Sequence, residues 1–312
     1  MGEDYVLAAD LGGTNLRTAA VSRTGSILHQ RKVPTPQTSE PNDIIQAITS
    51  EANSCIHAMA LKPVAFGIAA AALVDSAGTR VLSSPNLPEL NGVDLSATVA
   101  DIISTKVSLD NDATSAAIGE NWLGAAAGSG NSICVTLGTG VGGGIIIGGQ
   151  PFRGSCGTAG EVGHICVEPN GVKCGCGSIG CVEQYASATA IVRIAKELRA
   201  ETDQYRDKEW LTAADVYAAA CASDKVAVET FRIMGRYLGI ALAGLINVLN
   251  PRIIVLGGGA SGAWDFFIDH VRSEVEFRAF AHPADLVEIA KARLDDNAGI
   301  LGAAYMAFNG RG

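Results

Sequence analysis

Apolar residues along this chain switch between short continuous runs and stretches of helical spacing. Tyr5–Asp10 is an apolar run ending in Asp10-Leu11-Gly12-Gly13-Thr14-Asn15, and Leu16–Val21 follows at once with strand composition. Two apolar runs joined by Gly-Gly predict a β-hairpin, and Ile27–Thr35 predicts a third strand. Ile44, Ile45, Ile48, Cys55, Ile56 and Met59 fall at helical spacing in a polar background. Val64–Ala72 and Val107–Leu109 predict buried strands. Asp112–Ala127 predicts a helix with a cap-like Asp at its start.

The pattern then restarts. Ser132–Thr136 is an apolar run that ends in Gly138-Thr139-Gly140-Val141-Gly142-Gly143-Gly144, after which Ile145–Ile147 resumes it. Strand, Gly/Thr turn, strand therefore occurs twice. A third turn, Gly257-Gly258-Gly259, closes the run Ile253–Leu256. Between them lie a cysteine-rich loop and helical stretches at Ser187–Ala200, Thr212–Ala222 and Lys225–Leu249. Asn297–Phe308 ends the pattern as a helix with Ala and Gly on one side. The expectation is two lobes packed around a shared cleft, each with a β-sheet core opened by a Gly/Thr hairpin.

Composition narrows the function classes. The chain has 312 residues, 48% hydrophobic and 18% charged, enough for a large core. Lys and Arg number 23 against 32 Asp and Glu, a formal net charge of −9. That balance disfavours nucleic acid and anionic membranes as partners. The richest apolar runs, Ala65–Val74 and Leu238–Leu249, fall short of the roughly 20 residues a bilayer needs. Met1-Gly2-Glu3-Asp4 has no basic leader followed by an apolar stretch, so the expected compartment is the cytoplasm.

The turns carry the first candidate chemistry. Glycine lets the backbone approach a ligand closely, and consecutive N–H groups in such a turn form an anion-binding concavity. Thr14 and Thr139 add hydroxyls, and Asp10 is placed to face the metal of a metal–nucleotide. Neither GxGxxG nor GxxxxGK[ST] stands at a strand-to-helix junction, which disfavours dinucleotide and P-loop sites.

The second candidate is a metal knot. Of eight cysteines, three cluster as Cys174-Gly-Cys176-Gly-Ser-Ile-Gly-Cys181, with His164 ten positions before the first. Thiolates at such spacing in a reducing compartment argue for metal rather than disulfides. One imidazole and three thiolates make a closed tetrahedral zinc set with no open position for water, so the ion is expected to be structural. Most of the other cysteines read as small buried hydrophobes.

Asp10-Leu-Gly-Gly-Thr14-Asn15, Asn111-Asp112 and Leu137-Gly-Thr139-Gly-Val-Gly-Gly-Gly144 together resemble the ROK family of repressors, open reading frames and sugar kinases, within the actin/hexokinase-like superfamily. The most specific part is Gly163-His164 with Cys174-Gly-Cys176-Gly-Ser-Ile-Gly-Cys181-Val-Glu183, which looks like that family's zinc signature. The likeness runs from Asp10 to Ala298-Gly299-Ile300-Leu301-Gly302-Ala303-Ala304. It implies an α/β fold of two actin-like (ribonuclease H-like) lobes, mixed β-sheets flanked by helices with a cleft between them. Residues 1–113 with 297–312 would form the small lobe, and 114–296 the large lobe carrying the zinc loop.

By the same resemblance the chain is an ATP-dependent hexose kinase using Mg²⁺ and a structural Zn²⁺. Asp10, Gly12, Gly13, Thr14, Asn15, Thr139, Gly140, Gly258 and Gly259 would bind the nucleotide. Asp112 would be the general base; taken alone it is more simply a helix N-cap. Asn86, Asn111, Asp112, Glu161, His164 and Glu183 would hold the sugar, and His164, Cys174, Cys176 and Cys181 the zinc. Taken alone, Glu161 and Glu183 would be solvated surface residues. Glu183-Gln184-Tyr185-Ala186-Ser187 resembles ROK glucokinases more than their fructokinase or N-acetylmannosamine kinase relatives, which points to the 6-hydroxyl of glucose. The chain departs from many relatives in having Ala69-Ala70-Ala71-Ala72-Leu73 in place of a Pro-Gly pair, and Glu89-Leu90 where they have a Trp.

Competing readings remain. Another hexose, such as N-acetylmannosamine, fructose, mannose or N-acetylglucosamine, is one, and polyphosphate as the donor is another. A non-catalytic sugar-sensing protein of the family is a third. A repressor would need a helix-turn-helix, for which Asp10 leaves no room ahead of it. The family also implies a homo-oligomer, a dimer or tetramer.

Overall fold

The structure, a computed structural model, describes residues 4–200 and 210–311. Met1–Glu3, part of the stretch read above for a leader, lies outside the described residues. The chain divides into two compact units, Met1–Cys134 with Gly144–Gly160 and Arg293–Gly312, and Val135–Gly143 with Glu161–Ala292.

The first unit opens with β1 (Tyr5–Leu11), β2 (Asn15–Ser22) and β3 (Ile27–Pro34), an antiparallel meander as the apolar runs predict. Helix α1 (Pro41–Met59) starts with Pro at its first turn and stops at Ala60, whose φ of 53° lies in the left-handed region. Next come β4 (Phe66–Ala70), the short β5 (Leu73–Val74) and β6 (Val81–Ser83), and α2 (Leu95–Ile103). Then β7 (Val107–Asn111) runs directly into α3 (Asp112–Leu123). The main sheet has the order β3-β2-β1-β4-β7, with β1, β4 and β7 parallel. These strands are buried on both faces and so read as continuous apolar runs rather than alternating ones. The ends of β1, β4 and β7 lie in register, which places Leu11, Ala70 and Asn111 side by side.

Next along the chain come β8 (Ser132–Leu137), β9 (Val141–Ile147) and β10 (Gln150–Pro151). The second unit adds α4 (Glu183–Ala186), α5 (Ala188–Ala200), α6 (Ala213–Cys221), α7 (Lys225–Leu249), β11 (Ile253–Gly257), α8 (Trp264–Arg278), α9 (Ala281–Leu286) and β12 (Glu288–Lys291). The second sheet has the order β10-β9-β8-β11-β12. Helix α7 is capped by Asp224, whose carboxylate accepts from Val226 and Ala227 N–H, and ends at Asn250 with φ 44°. Residues Leu238–Leu249, too short alone to span a bilayer, belong to a continuous 25-residue helix that is long and apolar enough to do so. Its apolar stripe, from Val226 to Ile246, is buried, and it packs against α5, α6 and α8.

The last helix, α10 (Ala298–Asn309), returns to the first unit and packs on β1, β4 and α3. Small residues let its backbone touch its neighbours. A Cβ on Gly67 would lie 1.9 Å from the Ala303 carbonyl oxygen, and one on Gly302 would lie 1.7 Å from that of Ser115. Gly302→Ala therefore forces α10 away from α3, with an expected stability loss of about 1–3 kcal/mol by denaturant unfolding.

Two sequence expectations change. Helix α3 ends at Leu123, four residues before Ala127, because the Glu120 carboxylate takes the Ala125 N–H and the Arg293 and Leu294 N–H groups. Its N-cap is Asn111, whose Oδ1 accepts from Thr114 N–H at 2.9 Å; Asp112 is the first helical residue.

Candidate active site

The first unit gathers its candidates at the ends of β1, β4 and β7. The β1–β2 turn closes with Gly12 N–H donating to Asn15 O at 3.0 Å. Its carbonyls are tied to the segment after β3: Thr35 Oγ1 donates to Gly12 O (2.7 Å), Gln37 Nε2 to Gly13 O (3.0 Å) and Thr35 N–H to Thr14 O (2.9 Å). Asp10 sits opposite Arg17 across the β1–β2 ladder and accepts a hydrogen bond from it. Burial nevertheless pushes the Asp10 carboxyl above its ordinary pKa, against the pull of Arg17. Gly299 allows this crowding, since a Cβ there would lie 3.3 Å from the carboxylate.

Asn86 lies against the same turn. A Cβ on Gly13 would come within 3.0 Å of Asn86 Cβ. The loop carrying Asn86 hangs on the buried Ser84, whose hydroxyl donates to Ala71 O (2.7 Å) and accepts from Leu87 N–H (3.0 Å). Ser84 N–H donates to Asn91 Oδ1 at 2.7 Å. The Ala69–Ala72 stretch therefore supports this loop through the Ala71 carbonyl.

Asn111 spends both ends of its amide on the scaffold. Its Oδ1 caps α3, and its Nδ2 donates to Ala72 O at 3.1 Å. Asp112 is half-buried, and its Oδ1 accepts from Ala113 N–H at 2.8 Å.

The second unit builds its candidates around Gly138–Gly140. Gly138 N–H donates to Gly140 O (2.9 Å), while Ala188 N–H and Thr189 Oγ1 donate to the Gly138 and Thr139 carbonyls. Gly258, with φ 82°, lies so close that its Cβ would meet Leu137 O at 2.6 Å. Gly259 opens the short 3₁₀ segment Gly259–Ala263. Glu183 reaches this turn as well: its Oε2 accepts from Val141 N–H at 2.9 Å. A Cβ on Gly140 would stand 2.4 Å from that oxygen. Gly140→Ala is expected to push the Glu183 carboxylate off the Val141 N–H, visible as lost protection of that amide in hydrogen exchange.

His164, Cys174, Cys176 and Cys181 converge, with all four ligand atoms within 4.8 Å of one another. Cys174 Sγ lies 3.7 Å from His164 Nδ1, and Cys176 Sγ lies 3.7 Å from Cys181 Sγ. Two thiolates on one tetrahedral zinc, each at about 2.3 Å, stand about 3.8 Å apart, so the donor set fits the ion. Nδ1 faces the thiols and Nε2 faces Glu161 Oε2 at 3.8 Å. Gln184 Nε2 donates to Cys174 Sγ at 3.6 Å, and Glu183 Oε1 lies 3.9 Å from it. Burial, with Glu183 adding to it and His164 opposing, raises the Glu161 pKa.

A groove of about 590 Å³ adjoins Thr139 and is lined by Thr189, Arg193, Lys196, Glu197 and Thr212 among others. Sequence reasoning missed it. Thr189, Arg193, Lys196 and Glu197 recur at helical spacing on α5, but such a stripe reads equally well as a solvated helix face.

The fold is that of the actin-like α/β proteins. It is similar to the ROK family glucokinase from Streptomyces griseus in complex with glucose and AMPPNP, with a TM-score of 0.83 and 36% identity over 98% of this chain and 100% of that one. The chain is 37% identical to a glucokinase of Streptomyces coelicolor, covering 96% of both proteins. It is 34% identical to a glucokinase of Halalkalibacterium halodurans over 98% of this chain and 96% of that one. Residues 6–309 match the ROK family, and the chain belongs to it.

Proposed function

We propose that this protein is an ATP-dependent sugar kinase that transfers the γ-phosphoryl group to the 6-hydroxyl of glucose. One observation carries the reading. In each unit a side chain suited to a sugar hydroxyl is built directly onto a glycine turn, Asn86 against Gly13 and Glu183 against Gly140. Residues that would bind a polyol are thus packed against turns that would bind phosphate.

In this mechanism Asp112 accepts the proton of the 6-hydroxyl as its oxygen attacks the γ-phosphorus, and ADP leaves with the electrons of the broken P–O bond. Positioning and charge neutralisation supply most of the catalysis of phosphoryl transfer. The turns at Gly12–Thr14 and Gly138–Gly140 would offer N–H groups to the phosphates, with Asp10 facing the Mg²⁺. That ion would neutralise charge on the β- and γ-phosphates. The groove beside Thr139 would take the nucleoside, with Gly258 and Gly259 at its phosphate end. Glu161, His164 and Glu183 would bind sugar hydroxyls, together with Asn86. Asn111 would contribute mainly by holding α3. Zinc would fix the relative positions of His164, Glu161 and Glu183 and leave the chemistry to Asp112. The same reading places the protein in the cytoplasm as a homo-oligomer.

6-Deoxyglucose tests the acceptor. With ATP and Mg²⁺, glucose should release ADP and yield a phosphate ester at C6 by ³¹P NMR, whereas 6-deoxyglucose should compete with glucose and release none. ADP release on 6-deoxyglucose equal to that on glucose would contradict the assignment.

A further inference from the structure

The residue before Asn111-Asp112 is Asp110, on β7, and it is 1% exposed. Its carboxylate carries two guanidinium groups. Arg153 Nε donates to Oδ2 at 2.8 Å, with Nη2 2.7 Å from the same oxygen. Arg311 Nη2 donates to Oδ1 at 3.0 Å. That oxygen also accepts the Asn111 N–H at 2.9 Å. Arg153 and Arg311 side chains are themselves only 11% and 12% exposed.

Burying two cations on one carboxylate is costly, and a hydrophobic cluster of similar volume would serve stability as well or better. The geometry shows what the cluster restrains. Arg311 follows α10 across Gly310, which has a φ of 80°. Its other nitrogen, Nη1, donates to the carbonyls of Asp75 (3.1 Å) and Ser76 (2.8 Å), in the turn between β5 and β6. The approach is tight enough that a Cβ on Gly78 would lie 2.4 Å from Arg311 Cδ. Arg153 comes from the segment after β10. Two separate segments of the first unit thus converge on one carboxylate, and Arg311 ties the β5–β6 turn to it. That carboxylate in turn orients the Asp110–Asn111 peptide through the Asn111 N–H. A single residue, Asn111, locked as the cap of α3, separates it from Asp112.

We propose that Arg311, together with Arg153, is a positioning residue of the kinase: by clamping Asp110 it fixes the strand end that presents Asp112 to the sugar hydroxyl. The inference rests on Asp112 acting as the base. Neither arginine needs to touch substrate. A misplacement of about 1 Å at a reacting group can cost about 100-fold in rate, so loosening one of two clamps should register in turnover. Lysine cannot replace Arg311, because a single ammonium cannot reproduce a planar fork that spans Asp110 and two carbonyls.

The experiment is steady-state kinetics on Arg311→Met, Arg311→Lys, Arg311→Ala and Arg153→Met, with glucose binding followed by calorimetry. In Arg311→Met, kcat should fall about 10–100-fold while the KM values for glucose and ATP stay within about twofold of wild type. Glucose should still bind at one site per chain. Arg311→Lys should remain impaired, and added guanidinium ion should restore part of the kcat of Arg311→Ala. Arg153→Met should show the same split between kcat and KM. The inference is overturned if Arg311→Met keeps wild-type kcat, or if its loss is matched by lost glucose-binding sites and guanidinium fails to restore Arg311→Ala. A wild type silent on every hexose would overturn the functional reading and this inference with it. A wild type that turns over while Arg311→Met keeps pace with it would sink the inference alone.

Discussion

Asp112→Asn should lower kcat by about 10²–10⁴-fold while glucose still binds with nearly wild-type affinity, because a positioned general base typically contributes that much. The local backbone contacts tolerate the substitution. An Asn Oδ1 can still accept the Ala113 N–H that Asp112 takes at 2.8 Å. The cap of α3 is Asn111, so the helix start survives. What is lost is the capacity to take a proton. Calorimetric titration with glucose and a coupled assay for ADP check the two halves of this expectation. Retained turnover would remove Asp112 as the base, and lost glucose binding would assign it to sugar recognition alone.

Removing the metal should have the second large effect. Elemental analysis is expected to find about one zinc per chain, and Cys176→Ser should lose it. Cys176 is the exposed member of the set, and a hydrogen bond from the Ser178 backbone lowers its thiol pKa. Cys181 is fully buried, and burial together with the neighbouring thiols pushes its pKa up to about 12. Zinc must therefore displace a tightly held proton from Cys181, so zinc affinity should fall as pH falls. If zinc holds this set as proposed, its loss would free His164 at Nδ1 and leave Glu161, which faces Nε2 at 3.8 Å, without a fixed partner. Glu183 lies on the thiol of Cys174 at one oxygen and on Val141 N–H at the other, so the disturbance reaches the glycine turn. Groups that orient a metal's ligands are commonly worth about 10–100-fold, and the KM for glucose should rise by a factor in that range. A metal-free wild type with full activity would contradict the role assigned to the ion.

What was legible in the sequence was what local chemistry dictates. Gly12-Gly13 between apolar runs gives the β1–β2 hairpin, and the spacing from His164 to Cys181 brings four ligands together because a short glycine-rich loop has few other ways to place them. Helix α7 matches its apolar pattern end to end. Amphipathic signals weaken where charged residues interrupt them, so α8, whose Trp264–Arg278 carries six charged side chains among its aromatics, leaves no clear periodic signature. The cap of α3 stands one residue before the Asp112 that the sequence suggests, because Asn and Asp are nearly equal as caps and only the Thr114 hydrogen bond distinguishes them. Pairings across long stretches of chain were invisible. Arg311 reaches Asp110 over 201 positions and Leu294 reaches Glu120 over 174, and no local pattern encodes either. The groove beside Thr139 belongs to the same class, since α5 and α6 must pack before it exists.

Phosphorylation of a hexose from ATP is the activity proposed for this chain. A coupled assay of ADP formation with Mg²⁺, run across glucose, mannose, fructose, N-acetylmannosamine and N-acetylglucosamine, tests it most directly. Sugar-dependent ADP release is expected, with the highest kcat/KM on glucose. ADP release unaffected by any of the five sugars would contradict it.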